Sequence, residues 1–306
     1  VRFAYFTYLL AAFVFLKSFA LAFEIEDNKY YEVEKNEQIL RIISTADIEA
    51  FEPIILAFQK EFQTIAIDYV VASSSQTMEA IYNENGKFDL VISSAMDLQT
   101  KLANDGLAQT YKSLETEKLP IWAQWRNQVY GFTHEPAVMV ISKKEYGNLP
   151  LPKTRDQFVE LLRRNSEKFI GRIGTYDVSQ SGLGYLFATQ DSRNTDSFWR
   201  LIEMIGRLDV ELYCCSGSMI EDVSSGRLVL AYNVLGSYAE NSLKKFPGLK
   251  IISFDDFSTI MMRTALIPMA AKRPDLSGKM IDFLLQLHSK PDLVALSGLQ
   301  PITRHN

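Results

Sequence analysis

Cysteine is almost absent. The 306 residues hold two, and they are neighbours, Cys214-Cys215. Adjacency excludes a disulfide framework and gives no metal-ligand spacing. In the run VELYCCSG the pair reads as two thiols on alternate faces of a strand, with a vicinal disulfide as the alternative. Histidine is scarce as well: only His134, His288 and His305 occur. No G-x-S-x-G elbow, H-E-x-x-H, G-x-x-x-x-G-K-[ST] or G-x-G-x-x-G is present, so those hydrolase, zincin, P-loop and dinucleotide signatures are excluded. Concentrated positive charge is missing. Lys plus Arg number 32 against 37 Asp plus Glu, a net −5, and no segment is strongly basic, which excludes nucleic acid as a partner. Beyond residue 22 no apolar run reaches eighteen residues, so no later membrane-spanning helix is expected.

What is present begins at the first residues. The stretch 1–22, VRFAYFTYLLAAFVFLKSFALA, carries Arg2, a run apolar from Phe3 to Leu16 apart from Thr7, and a small-x-small ending Ala20-Leu21-Ala22. This is the pattern of an export signal cut after Ala22, with an uncleaved anchor as the alternative. Either way the body of the chain lies outside the cytoplasm. The stretch 23–38 holds six carboxylates against two lysines and reads as a mobile acidic leader.

A strand–helix rhythm follows. Apolar runs at 39–44, 65–71 and 88–93 alternate with helical patterns at 48–62, after 75 and at 97–105, the first with Asp47 as its cap. Such alternation predicts a parallel sheet with covered faces and all strand C-termini on one rim. The segment 129–142, VYGFTHEPAVMVIS, is split by a proline that argues against one regular central strand, and it reads as a crossing between domains. A second αβ set runs from 154 to 253, and 258–268 returns to the first. The expected class is α/β with two lobes, each a mainly parallel sheet flanked by helices. Lobe 1 spans 39–133, lobe 2 spans 134–257, and 258–306 supplies a return strand and C-terminal helices to lobe 1.

Small hydroxyl residues stand where strands end and helices begin: Ser44-Thr45, Ser73-Ser74-Ser75, Ser93-Ser94, Ser179 with Ser181-Gly182, and Asn233 with Ser237-Tyr238. Amide N–H groups at helix starts attract anions, and ligands of open α/β sheets bind outside strand C-termini. Each cluster alone is more often just a cap. Together they predict a small anionic solute clamped between two facing rims. Arg263, in the apolar run MMRTALIP, either reaches that cleft as a forked anion contact or pairs with Asp255 or Asp256. Two other chemistries are open. A ferric site would need tyrosinate and carboxylate oxygens, with Tyr232 and Tyr238 the candidates. A hydrolase would use His134, with Ser75 as its nucleophile. No cofactor, resident metal or catalytic residue is expected.

The ordered series of segments resembles the type II periplasmic solute-binding proteins. The resemblance is carried by IISTADIEAFEPIILAFQKEF and the rest of the first αβ set, YGFTHEPAVMVIS, GRIGTYDVSQSGLGYLFATQ and SGKMIDFLLQLHSKPDLVALSGLQPIT. It is nearest the ferric-binding-like branch, which also holds binders of phosphorylated solutes. Iron binders of that branch place two adjacent tyrosines after a late second-lobe strand. Here that place reads Asn233-Val234-Leu235-Gly236-Ser237-Tyr238, with one tyrosine. The resemblance therefore implies an organic anion, a phosphate ester foremost, a periplasmic monomer that closes about a hinge, and an ABC permease–ATPase complex as partner. A membrane sensor kinase is the alternative partner.

Overall fold

The computed structural model describes residues 23–35, 37–83 and 86–302. The export signal read at 1–22 lies outside the described residues. Among the described residues eleven strands are joined by hydrogen bonds, nine of them in one continuous path: β1 (Asp27–Tyr31), β2 (Gln38–Ser44), β3 (Ile65–Val71), β4 (Leu90–Ser93), β5 (Gln124–Trp125), β6 (Val129–Ser142), β7 (Ile173–Tyr176), β8 (Glu211–Tyr213), β9 (Leu230–Leu235), β10 (Leu249–Ile252) and β11 (Ile260–Leu266). The order is β1-β3-β2-β4-β11-β6-β9-β7-β8, with β5 and β10 also on β6.

The rhythm of the first third becomes what its pattern predicts. β2 pairs in parallel with both β3 and β4, and every residue of β4 is buried. The helices α1 (Ile48–Glu61), α2 (Ser74–Asn83) and α3 (Met96–Asn104) connect or follow these strands. Phe51, Ile54, Ile55 and Phe58 recur at helical spacing and bury one face of α1 against Tyr69 and Phe283. β7 likewise pairs in parallel with β8 and β9. Both sheets are mixed, because the return and crossing strands run antiparallel to this parallel core.

Two readings are corrected. The acidic leader is not slack: Asp27–Tyr31 is an edge strand antiparallel to β3. Four of its five residues are exposed, which hides the strand from a hydrophobic pattern, and charge on an edge discourages further pairing. Tyr31 alone turns inward, its carbonyl accepting from Gln59 Nε2 at 3.0 Å.

The proline in VYGFTHEPAVMVIS does not break the strand either. β6 runs unbroken for 14 residues through Pro136. Up to Pro136 it pairs with β11; from Ala137 onward it pairs with β9 and, later, β10. Proline sits where the ladder changes partners, so its missing N–H costs no regular ladder bond. β6 is therefore the one strand shared by both sheets, and the chain recrosses between β10 and β11. Each sheet has its own core, the first around Ile42, Phe51 and Phe283, the second around Phe158, Phe169 and Tyr232. No helix among the described residues is long and apolar enough to cross a membrane.

Candidate functional site

The strand ends of the two sheets do face each other. A narrow cavity of about 50 Å³ lies between them. From the first half it is lined by Thr45, Asp47, Ser73, Ser74 and Ser94, with Glu26 at the same wall and Arg263 entering from β11. The second half contributes Tyr176, Ser181, Ser216 and Tyr238, with Leu183, Leu235 and the Cys214-Cys215 pair. Hydroxyl groups thus come from the starts of α2, of the helix Gly182–Asn194 and of the helix Ser216–Ser225.

Half of the expected site residues reach this cavity: Thr45, Ser73, Ser74, Ser94, Ser181, Tyr238 and Arg263. Five of the other seven are engaged within the protein instead. Ser44 Oγ accepts from Ala46 N at 3.0 Å and Ser93 Oγ from Ala95 N at 3.1 Å, each turning its own strand end. Ser179 bonds Asp177. Ser237 donates to the buried carboxylate of Glu135. Asn233 is buried at φ 61° and donates from Nδ2 to Asp191 at 2.9 Å. Even among the residues at the cavity, Ser73 and Ser181 also serve as caps, accepting from Gln76 N and Gly184 N.

Ser75 and Gly182 do something the sequence did not disclose: they tie the halves together. Ser75 Oγ donates to Gln180 O at 3.0 Å, and Ser74 Oγ accepts from Gly182 N at 2.9 Å. Tyr238 OH accepts from Asp47 N at 3.0 Å across the same gap. A Cβ at Gly182 would lie 2.7 Å from Leu98 Cδ1 and 2.8 Å from Ser74 Oγ, both on the opposite half. Gly182→Val is therefore expected to hold the halves apart. Its radius of gyration in small-angle scattering should exceed that of the parent, and solute affinity should fall by about tenfold or more.

Arg263 is the charged centre. It is 1% exposed, and so is its partner Glu135. Nε donates to Glu135 Oε1 at 3.1 Å, while Nη1 is buried with no partner. Burial opposes the guanidinium charge, yet Glu135, with the nearby Tyr238 and Tyr69 hydroxyls, offsets it and the pKa rises. The expected pairing with Asp255 or Asp256 does not occur. Asp256 belongs to Arg155, whose Nη1 meets it at 2.7 Å. An acid already lies next to Arg263 on β6, two residues from the Thr133 hydroxyl that also donates to it.

Asp47 occupies the N-cap position of α1, as its sequence position predicts, but its side chain makes no cap hydrogen bond. The carboxylate turns into the cleft. Burial lifts its pKa above the usual carboxylate range, against the pull of Arg263. Folding is therefore favoured below the unfolded carboxyl value of about 3.9, and that contribution is lost as pH rises through the raised folded value. Asp47→Asn removes the cost of ionisation. It is expected to melt above the parent at neutral pH, with the gain vanishing by about pH 4.

Cys214 and Cys215, read as separate thiols, are bonded to each other. β8 ends at Tyr213, so the alternation of faces that would part them stops before the first cysteine. Glu26, Asp47, Tyr176 and Ser216 were missed. Ser216 carries the same signal as the others, a serine directly after a strand pattern and before a helix.

The two alternative chemistries find no matching geometry. Ser75 is engaged with Gln180, and His134 does not line the cavity; its backbone N–H donates to Gln300 O on the C-terminal segment. Tyr232 is buried within the second half, donating to Asp191 and accepting from Arg155, so of the two candidate tyrosines Tyr238 alone lines the cavity. Among the described residues no group of three or more His, Cys, Asp or Glu is arranged to hold a metal.

Comparisons with known proteins agree with this fold. The family model of bacterial extracellular solute-binding proteins matches residues 43–209. The substrate binding protein of the ABC transporter from Agrobacterium tumefaciens is 35% identical, with a TM-score of 0.82 over 84% of this chain and 78% of that one. The periplasmic binding protein AfuA from Actinobacillus pleuropneumoniae, with fructose-6-phosphate bound, is 14% identical; its TM-score is 0.73 over 88% of this chain and 85% of that one. Iron-bound HitA from Pseudomonas aeruginosa is also 14% identical, with a TM-score of 0.70 over 88% and 87%. The last two similarities are of fold. The comparison with curated proteins returned no match.

Proposed function

The chain belongs to the bacterial extracellular solute-binding proteins, and from that premise we propose that it captures a small solute bearing an anionic group between two lobes and delivers it to an ABC permease–ATPase complex. The lobes are 39–133 with 258–306, and 134–257; strand β1 extends the first of them towards the N-terminus. Export to the periplasm, by the segment 1–22, belongs to the same reading.

The observation that carries the solute class is Arg263 Nη1, a buried guanidinium donor without a partner at a cavity walled by hydroxyls from both halves. A buried donor left unsatisfied costs about 1–3 kcal/mol, and a solute oxygen placed there recovers it. The N-termini of α2 and of the helices Gly182–Asn194 and Ser216–Ser225 add amide dipoles that favour negative charge. Closure excludes water, which strengthens each of these contacts. The closed form is then the state a transporter recognises, selected by the solute's extra contacts with the second lobe. A phosphate ester suits this donor set, and AfuA, of the same fold, is known with such a compound bound.

A thermal-shift panel of phosphorylated sugars, phosphoglycerates, phosphonates and ferric salts tests the proposal. A true solute at a hundred times its Kd should add about 2.7 kcal/mol to stability, with no turnover. Turnover that disappears in His134→Ala would overturn the reading in favour of a hydrolase.

A further inference from the structure

The charges around the cavity do not balance for a purely anionic guest. Among the described residues Arg263 is the one basic residue lining it, and Glu135 already neutralises that charge at 3.1 Å. Asp47 and Glu26 also line it, and neither carboxylate forms an ion pair among the described residues. Asp47 has declined its cap, and its Oδ2 lies 3.5 Å from the position a Cβ on Gly217 would take, at the start of the helix Ser216–Ser225. The carboxylate therefore points across the gap towards the second half. Burial raises the pKa of both acids, Asp47 against the pull of Arg263 and Glu26 further through its proximity to Asp47. Two neighbouring acids, Asp47 half-buried and Glu26 at the exposed mouth, repel each other, and a cation between them lowers the cost of ionising both. Tyr238 OH is the hydrogen-bond partner of the Asp47 carboxylate, and Arg263 is close enough to be felt by Asp47 but does not contact it, which leaves a gap with an unpartnered donor at one end and carboxylates that no cation neutralises at the other.

We propose that the solute is amphoteric: its anionic group meets Arg263 Nη1 and the helix starts, while an ammonium group is held by Asp47 and Glu26. This rests on the anion-capture reading above and adds a second recognised group to it. Asp47 and Glu26 are then specificity residues that select an aminated acid over its plain counterpart, by favouring one and repelling the other.

The test compares 2-aminoethyl phosphate with ethyl phosphate, two compounds that differ by the amine, in calorimetric titrations of the full chain. The aminated compound is expected to bind at least tenfold more tightly. In Asp47→Asn, and separately in Glu26→Gln, that preference should shrink several-fold, with ethyl phosphate binding more tightly than to the parent because a repelling charge is gone. Equal affinities in the parent, or a preference unchanged in both variants, would overturn the inference and leave anion capture standing. Failure of both compounds to bind the parent would instead overturn the anion-capture reading, and this inference with it.

Discussion

Replacing Arg263 by leucine is expected to abolish solute binding and to cost about 3–5 kcal/mol of stability, the usual result of removing one partner from a buried ion pair. Both side chains are 1% exposed, so water cannot compensate the acid left behind. Glu135 would keep only the Thr133 and Ser237 hydroxyls. The stability effect and the binding effect have different causes, and a second substitution separates them. Arg263→Leu with Glu135→Leu removes the stranded charge together with its partner. Well-packed apolar replacements of buried pairs are commonly neutral or better, so urea unfolding should return most of the lost stability. Binding should not return, because the unpartnered Nη1 donor is still missing. A double variant that recovered both would mean that Arg263 only holds the strand junction together.

Arg155→Leu is expected to cost a similar amount, about 3–5 kcal/mol, in a different place. Arg155 is 2% exposed and makes three contacts on two other segments: Asp256 at 2.7 Å and Phe257 O at 3.0 Å on one, Tyr232 OH at 3.0 Å on the other. Its Nη2 also lies 3.6 Å from Asp191, which is fully buried and holds Tyr232, Asn233 and Thr259. Without the guanidinium, Asp191 is a buried charge among neutral donors. The residues it releases, Asp256 to Thr259, are the chain's return from β10 to β11. Hydrogen exchange should therefore show β7 and β9 losing protection well before β2–β4, since each sheet has its own core. Uniform loss over both sheets would show instead that the halves unfold as one unit.

These two arginines mark where sequence reasoning stops. Arg263 was visible as a charge in an apolar run, Arg155 in the polar stretch KTRDQ was not, and a buried charge must have a partner. The partners, however, are set by register. Glu135 neighbours Arg263 because β11 lies antiparallel on β6, and Asp256 meets Arg155 because the return segment folds over the second core. Neither follows from spacing along the chain. The parallel strands β2, β3 and β4 were legible because strands covered on both faces are nearly continuous apolar runs. β1 was not, because an edge strand exposed on four of its five positions has no such run. Pro136 misled for a related reason: its cost depends on whether its N–H would have been used, and that depends on the partner strand. The hydroxyl clusters located the rim correctly but not its duties. Ser44 and Ser93 turn their own strand ends, while Ser74 and Ser75 hold the two halves together, a distinction that only the packing of α2 against the helix Gly182–Asn194 creates.

The central claim is that one solute is gripped between the two halves, and Gly182 gives direct access to it. A thermal-shift screen of small polar solutes on the parent protein should be repeated on Gly182→Val, with every stabilising compound carried across. The account requires that a compound raising the parent's melting temperature loses that effect in the variant, while the variant alone melts close to the parent. A compound that stabilises both proteins equally binds elsewhere, and would contradict capture in the cleft.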